Sequence, residues 1–223
     1  NLFELNISVS GLVVNELDIN RCIYCLCLVL FIILIILISC TSKGGPFFRG
    51  VRVGRHGKPF KIFKFRSMRV NSEGNGKWNI GDKDPRITKI GHFLRKTKLD
   101  EVPQLINVFI GQMSFVGPRP ELQYYIDMYT DKEKPILDLK PGITDWASLV
   151  NMKQFEGFTN ASDPDEYYLK QVRPLKLKLQ LYYRYNHSFW NDIYCSRLYH
   201  FSVKKYALKY KILSFIFMTM KKS

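Results

Sequence analysis

The chain has 223 residues, of which 46% are hydrophobic and 24% are charged, and its 34 Lys and Arg against 19 Asp and Glu give a net charge of +15. This length and apolar content suffice for one domain with a sizeable core, and they exclude a wholly disordered chain. A coiled coil and a solenoid are also excluded, because neither a heptad pattern nor a repeat of about 20 to 50 residues is visible.

The positive charge is concentrated in two regions. Residues 49–100 contain 15 Lys and Arg and 4 Asp and Glu, which gives +11, whereas residues 195–223 contain 7 Lys and Arg and no acidic residue. A solvated basic face would show such a distribution, and so would a protein that binds nucleic acid, an anionic membrane surface or phosphorylated substrates.

The first predicted element is a membrane helix at residues 22–42, after an N-terminal segment of unclear origin at residues 1–21. Residues 22–40 contain no charged residue, Pro or Gly, and as a helix they would extend about 28 Å, close to the hydrocarbon thickness of a bilayer. The absence of a polar stripe argues against a soluble core helix. A secretory or lipoprotein signal is the alternative, but the Lys and Arg residues that follow favour a retained anchor whose C-terminal side is cytoplasmic.

Short strands and a helix are predicted next. Residues 51–53 and 60–65 alternate apolar and polar side chains around a turn-rich stretch, which indicates a β-hairpin with Lys61 on its polar face. Residues 70–85 are typical of a loop, and the apolar spacing of residues 87–96 favours a helix.

Two adjacent carboxylates, Asp100 and Glu101, are the most informative feature of the sequence. Because Pro103 is tolerated only in the first turn of a helix, a helix should begin near Asp100, continue to about Ile110 and end at Gly111. Both carboxylates would then lie at the positive end of the helix dipole, where free N–H groups can also hold a phosphoryl group. A simple N-cap role for Asp100 is the alternative that these residues alone favour.

Two Pro-Gly turns follow, each with one cation. Residues 117–120 (GPRP) form a stiff turn around Arg119, and residues 140–142 (KPG) place Lys140 at the second turn. Residues 175–181 alternate as a strand would, although Pro174 and the family context described next favour a helix near the membrane surface.

Between Gly45 and Ile193, about two thirds of the chain, the sequence resembles the bacterial sugar transferases, which are monotopic polyprenyl-phosphate phosphoglycosyl transferases. The matching segments are residues 45–48 (GPFF), 52–54 (RVG), 57–68 (GKPFKIFKFRSM), 84–88 (DPRIT), 91 (G), 94–97 (LRKT), 99–105 (LDEVPQL), 113–120 (MSFVGPRP) and 188–193 (SFWNDI). This ordered series of motifs is highly specific for the family.

The resemblance implies a two-step reaction. The Asp100 carboxylate would attack the β-phosphorus of a UDP-sugar and release UMP, leaving a sugar phosphate on the aspartate. The phosphate of undecaprenyl phosphate would then attack this intermediate and give undecaprenyl-diphosphate-sugar, which starts capsule, exopolysaccharide, O-antigen or glycoprotein glycan assembly. Ping-pong kinetics are expected for such a divided displacement.

The resemblance also implies Mg²⁺ as a cofactor, with Glu101 as its main protein ligand and Asp100 beside it. Magnesium commonly takes one or two carboxylates together with phosphate oxygens. The candidate substrate-binding residues are Lys61, Lys64, Arg66, Arg95, Gln104, Arg119, Pro120 and Lys140. For Lys61, Lys64 and Arg66, contact with lipid headgroups or solvent is the alternative.

The expected fold is α+β: a mainly helical, membrane-anchored catalytic domain at residues 43–193 with a short β-hairpin, and a basic and apolar tail at residues 194–223 at the membrane interface. Family members enter the membrane as a re-entrant helix broken by a Ser-Pro pair, whereas residues 22–40 contain no Pro, so re-entrant and spanning topologies are both open. The expected location is the bacterial inner (cytoplasmic) membrane, with the catalytic domain on the cytoplasmic face against anionic lipids. A homodimer is also considered.

The main alternative function is a catalytically inactive, membrane-anchored basic protein that binds anionic lipid or nucleic acid. It predicts salt-dependent binding of polyanions whose affinity does not depend on Asp100. The sequence contains no nucleic-acid-binding motif, so nucleic acid is not expected as a partner. A third interpretation is an inactive remnant that folds but fails to insert into the membrane.

Overall fold

The computed structural model describes residues 7–9, 12–14, 16–70, 85–151 and 163–202. The loop predicted at residues 70–85 lies almost wholly outside the described residues, as do Asp84 of the DPRIT motif and residues 203–223 of the predicted tail.

A long apolar helix occupies the N-terminal part of the chain, after the antiparallel strands β1 (Ile7–Val9) and β2 (Leu12–Val14). This helix, α1 (Glu16–Thr41), includes the predicted membrane segment at residues 22–42 except for its last residue. Within the described residues, Asn20–Thr41 is the one helical stretch that is long and apolar enough to cross a membrane. Apart from the buried Ile38, its described side chains are exposed or half-buried, which is the opposite of a soluble core helix.

The C-terminal half of α1 packs on the rest of the molecule through one apolar cluster. Ile38 is buried there with Phe65 and Leu94, and neighbouring half-buried side chains complete the contact. Shortly after the helix ends at Thr41, Gly44 and Gly45 take positive φ angles of 147° and 77°, a conformation that glycine adopts without a steric penalty. The polypeptide therefore turns at once from the apolar helix into the first strands.

Four short strands form two antiparallel pairs. Strand β4 (Val51–Val53) pairs with β5 (Pro59–Lys61), so that Val51 lies opposite Lys61, and a 3₁₀ turn at Arg55–Gly57 connects them. This pairing confirms the predicted hairpin. The predicted second strand at residues 60–65 is nevertheless interrupted, because β6 (Lys64–Phe65) pairs instead with β3 (Phe47–Phe48).

The predicted helices on either side of the carboxylate pair are present. Helix α2 (Lys89–Thr97) is capped by Thr88, whose Oγ1 accepts from the N–H of Gly91 at 3.0 Å. A 3₁₀ turn at Leu99–Glu101 follows, and the chain continues into α3 (Gln104–Phe109). Gly111, with φ 78°, ends the helical segment. The predicted helix is thus correct in extent, but its first turn is 3₁₀ and its α-helical part begins after Pro103.

The remaining described elements follow α3 along the chain. Strand β7 (Ser114–Val116) pairs in parallel with β8 (Gly142–Thr144). The helices are α4 (Gln123–Ile126), a 3₁₀ turn at Lys134–Asp138, α5 (Trp146–Asn151), α6 (Pro164–Tyr167), a π-helical turn at Tyr168–Val172, α7 (Arg173–Asn186) and α8 (Phe189–Ser202). Residues 175–181 are therefore helical, and the described fold is a mixture of helices and short strand pairs, as predicted.

Candidate active site

The two carboxylates lie in a tight turn between two helices. Lys98 closes α2 in the left-handed conformation, with φ 60° and ψ 14°, and the 3₁₀ turn at Leu99–Glu101 begins directly after it. A non-glycine residue rarely adopts this conformation. The reversal of the chain at this point places Asp100 and Glu101 inside the molecule, where their exposed fractions are 7% and 8%.

Glu101 is bound by two cations from distant parts of the chain. Lys64 Nζ lies 3.1 Å from its Oε1, Arg119 Nη1 lies 3.3 Å from its Oε2, and Arg119 Nη2 also donates to Oε1. Burial by itself would raise the pKa of Glu101, but the charges of Arg119 and Lys64 outweigh burial and hold this pKa well below its usual range. Glu101 is therefore an ionised carboxylate that fixes two cations beside Asp100.

Asp100 has the opposite electrostatic character. Burial raises its pKa, with a further contribution from the charge of Glu101, and the positive charges of Lys64, Lys98 and Arg95 only partly offset this rise. Its Oδ1 is buried and finds no hydrogen-bond partner within the described part of the chain. The predicted N-cap hydrogen bond is therefore not made by this atom. A carboxyl group with an unpartnered buried oxygen is a reactive arrangement whenever it is ionised, because little solvation has to be removed before it attacks.

Lys64 shares this electrostatic environment. Burial lowers its pKa, while the charge of Glu101 raises it in part. The negative charges of the two carboxylates thus favour the charged form of Lys64, and the charge of Lys64 lowers the pKa of both carboxyls.

Arg119 is positioned by the close approach of the two glycine-containing turns. The N–H of Gly117 donates to the carbonyl of Thr144 at 3.0 Å, and the N–H of Gly142 donates to that of Pro118 at 3.0 Å. A Cβ atom on Gly117 would lie 2.4 Å from the carbonyl oxygen of Lys140, so only glycine fits there. The stiff turn directs the guanidinium to Glu101.

Two other predicted substrate-binding residues, Arg66 and Arg95, donate hydrogen bonds to groups outside the carboxylate pair. Arg66 donates to the carbonyls of Gly44, Gly45 and Phe47, and it thereby ties the end of α1 to β6. Arg95 donates to Ser67 Oγ at 3.2 Å and to Met68 Sδ at 3.3 Å, with its charge near Asp100.

In the described part of the chain, four predicted residues make no hydrogen bond or ion pair with the carboxylate pair. Lys61 and Lys140 are exposed, and Pro120 is half-buried beside Arg119. Gln104 is almost fully buried, and its Nε2 has no hydrogen-bond partner among the residues that the structure describes. Substrate binding by these residues stays a prediction.

Asn107 is a site residue that the sequence reasoning missed. Its fully buried amide accepts from the N–H of Phe63 at 2.8 Å and donates to the carbonyl of Lys61 at 3.0 Å, and to Gln112 Oε1 at 2.8 Å. These bonds replace the strand pairing that is interrupted between β5 and β6, and so they set the position of Lys64. The only sequence signal was a polar residue within the apolar helical segment LINVF.

The carboxylate pair can contribute to a magnesium site only together with other oxygens. The described residues contain no group of three or more His, Cys, Asp or Glu side chains that could hold a metal ion. Magnesium commonly binds one or two carboxylates plus phosphate oxygens, and the unpartnered Oδ1 of Asp100 beside Glu101 fits that donor set.

Comparison with known proteins identifies relatives over most of this region. The family model for bacterial sugar transferases matches residues 13–200. The chain is 44% identical over 134 residues to the uncharacterized sugar transferase EpsL of Bacillus subtilis, covering 59% of the chain and 65% of that protein. It is 38% identical over 162 residues to the UDP-N-acetylgalactosamine-undecaprenyl-phosphate N-acetylgalactosaminephosphotransferase of Aeromonas hydrophila, covering 71% of the chain and 35% of that enzyme.

A third relative uses a different sugar. The chain is 39% identical over 159 residues to the UDP-glucose:undecaprenyl-phosphate glucose-1-phosphate transferase of Escherichia coli, covering 70% of the chain and 32% of that enzyme. The match therefore spans less than two thirds of each of these three relatives.

Proposed function

Because the chain belongs to the bacterial sugar transferase family, we propose that it transfers a sugar 1-phosphate from a UDP-sugar to undecaprenyl phosphate, releasing UMP. Relatives named for this reaction with N-acetylgalactosamine and with glucose support the proposal. They also show that the sugar varies among similar chains. The product would start the assembly of a capsule, exopolysaccharide, O-antigen or glycoprotein glycan.

The observation that carries the proposal is the contrast between Asp100 and Glu101. Asp100 is a buried carboxylate with an unpartnered oxygen, next to a carboxylate that is already bound by two cations. In the proposed first step, Asp100 attacks the β-phosphorus of the UDP-sugar, the bond to the α-phosphate oxygen breaks, and UMP leaves. In the second step, the phosphate of undecaprenyl phosphate displaces Asp100 and takes the sugar phosphate.

Attack of a carboxylate on a diphosphate needs positive charge, because both reactants are anions. Lys64 and Arg119 supply it beside Asp100, and the planar guanidinium of Arg119 is suited to phosphate oxygens as well as to Glu101. Magnesium, held by Glu101 and Asp100 with oxygens of the diphosphate, would neutralise further charge. Glu101 keeps the cations in place until substrate oxygens compete for them.

The apolar helix is proposed to hold the domain at the membrane in which the lipid substrate dissolves. The described side chains of Asn20–Thr41 are mostly exposed, and exposed apolar surface of this length is stable in a bilayer and unfavourable in water. The dense Lys and Arg residues after it support a position of residues 43–193 on the cytoplasmic face of the inner membrane. The comparisons lend no support to an inactive basic protein.

An assay of UMP release tests this function. The protein in nanodiscs would receive Mg²⁺, undecaprenyl phosphate and a panel of UDP-sugars, and the Asp100→Asn variant would serve as the matched control. We expect UMP release with at least one sugar, and its loss in Asp100→Asn. If the wild-type protein releases no UMP with any sugar, the proposed transferase activity is refuted. If Asp100→Asn is fully active, only the assignment of Asp100 as the nucleophile is refuted.

A further inference from the structure

The loop that carries Arg119, residues 117–121, ends in a buried carboxylate that the proposed reaction does not use. The side chain of Glu121 accepts hydrogen bonds from the hydroxyls of Tyr168 at 2.6 Å and Tyr129 at 3.3 Å, and it forms an ion pair with Lys176. Its carbonyl accepts from the N–H of Val53 at 2.9 Å. The C-terminal end of the Arg119 loop is therefore fixed by four separate groups.

A second buried carboxylate fixes Arg119 itself. Asp145 Oδ2 accepts from the main-chain N–H of Arg119 at 3.2 Å and from Gln180 Nε2 at 3.2 Å. Its Oδ1 accepts from the N–H of Ser148 at 2.6 Å, so the same residue also caps α5. The main chain of Arg119 is thus hydrogen-bonded to a carboxylate that is itself held by Ser148 and Gln180.

One helix supports both carboxylates. Lys176 and Gln180 are four residues apart in α7 and lie on one face of it. Lys176 binds Glu121 and Gln180 binds Asp145, and both side chains are buried. The position of α7 is thereby coupled to the position of the Arg119 guanidinium on Glu101.

Stability alone is a poor explanation for this arrangement. A buried ion pair gains little stability over well-packed apolar side chains, because removing two charges from water offsets their attraction. A fixed position for Arg119 is a better one, since the bidentate contact with Glu101 requires accurate placement and a misplacement of about 1 Å can cost roughly 100-fold in rate.

We infer that Glu121, Asp145, Lys176 and Gln180 are positioning residues that hold Arg119 in register with Glu101 for phosphoryl transfer. The inference rests on the proposed function and adds α7 to the machinery as the element that supports the Arg119 loop. None of the four residues needs to touch a substrate.

A double-mutant cycle tests the inference. Lys176→Met is made in the wild-type protein and in Arg119→Lys, which keeps the charge but loses the bidentate geometry. We expect Lys176→Met to lower kcat for UMP release by roughly 10- to 100-fold in the wild type with little change in KM. In the Arg119→Lys background, Lys176→Met should change kcat by less than about twofold, because the residue that Lys176 positions is already changed.

Two further variants separate positioning from loss of fold. Glu121→Gln with Lys176→Met removes both charges, leaves no unpaired buried ion, and should restore most of the activity that Lys176→Met loses. Gln180→Leu removes a donor to Asp145 without exposing a buried charge. Like Lys176→Met, it should lower kcat in the wild type and have little effect on kcat in Arg119→Lys. Lys170→Met, which removes the exposed ion pair with Glu166, is the control and should change activity by less than about twofold.

Each outcome has a clear meaning. If Lys176→Met and Gln180→Leu lower kcat equally in the wild type and in Arg119→Lys, positioning through Arg119 is refuted while the proposed function stands. If the wild-type protein releases no UMP, the proposed function fails and this inference fails with it.

Discussion

Replacing Asp100 and Glu101 one at a time by their amides should change the stability of the protein in opposite directions. The substitutions Asp100→Asn and Glu101→Gln are nearly isosteric and lie on adjacent residues of one turn. Burial raises the pKa of Asp100, so its ionised form opposes folding at neutral pH. For Glu101, the cations Arg119 and Lys64 outweigh burial and lower the pKa, so its ionised form stabilises the fold.

The magnitudes follow from the contacts. Asp100→Asn replaces a buried charge by a neutral amide, which still leaves one polar atom unpartnered, so the gain comes from the charge alone and should be about 1 kcal/mol. Glu101→Gln leaves two cations without their carboxylate, which costs about 3 to 5 kcal/mol for a fully buried pair. Because the side chains of Arg119 and Lys64 are 36% and 22% exposed, solvent screening reduces that loss to about 2 kcal/mol. At about 2 to 4 °C per kcal/mol, Tm should rise by about 3 °C in the first variant and fall by about 6 °C in the second.

Thermal unfolding as a function of pH is the assay. The gain in Asp100→Asn should be complete above the raised pKa of Asp100 and should shrink as pH falls from that pKa towards the ordinary value of 3.8, below which the wild-type carboxyl is neutral in both the folded and the unfolded state. The loss in Glu101→Gln should persist down to the ordinary glutamate pKa of about 4.3 and shrink below it. Both variants should lose UMP release. A change of Tm in the same direction in both variants at pH 7 would refute the assigned charge states.

Three further predictions concern residues around the pair. Lys64→Met should move the acid limb of the pH profile of kcat/KM to higher pH, because the largest charge that lowers the pKa of Asp100 is removed. Lys89→Met, at an exposed position of α2, is the control, and an unmoved acid limb would contradict the role of Lys64. Asn107→Ala should lower Tm by at least about 5 °C, because two main-chain groups lose their partners, and a loss below 1 °C would mean that they find other partners. Gly91→Ala should destabilise the protein by about 1 to 3 kcal/mol in denaturant unfolding, because the new Cβ would lie 1.9 Å from the carbonyl oxygen of Ser67; unchanged stability would show that α2 can move away.

The sequence predicted those features that short stretches of chain determine. The apolar run at residues 22–40 predicted a long helix, Pro103 and Gly111 marked the extent of the helical segment after Asp100, and the order of the motifs indicated the family. Pro, Gly and hydropathy act locally, through allowed φ angles and through contact with water, so they can be interpreted without a fold.

The tertiary structure alone decided which charges meet. Lys64 is 37 positions before Glu101 and Arg119 is 18 positions after it, and Lys176 is 55 positions from Glu121. The sequence did not show that the guanidinium of Arg66 contacts main-chain carbonyls near the end of α1, and its binding of substrate stays a prediction. The opposite pKa directions of Asp100 and Glu101 arise in the same way, because burial and the distance to a counter-charge depend on how distant segments pack. The sequence therefore determined that two carboxylates stand together in a helical turn, and only the packing around them decided that one holds the cations while the other has an oxygen left unpartnered.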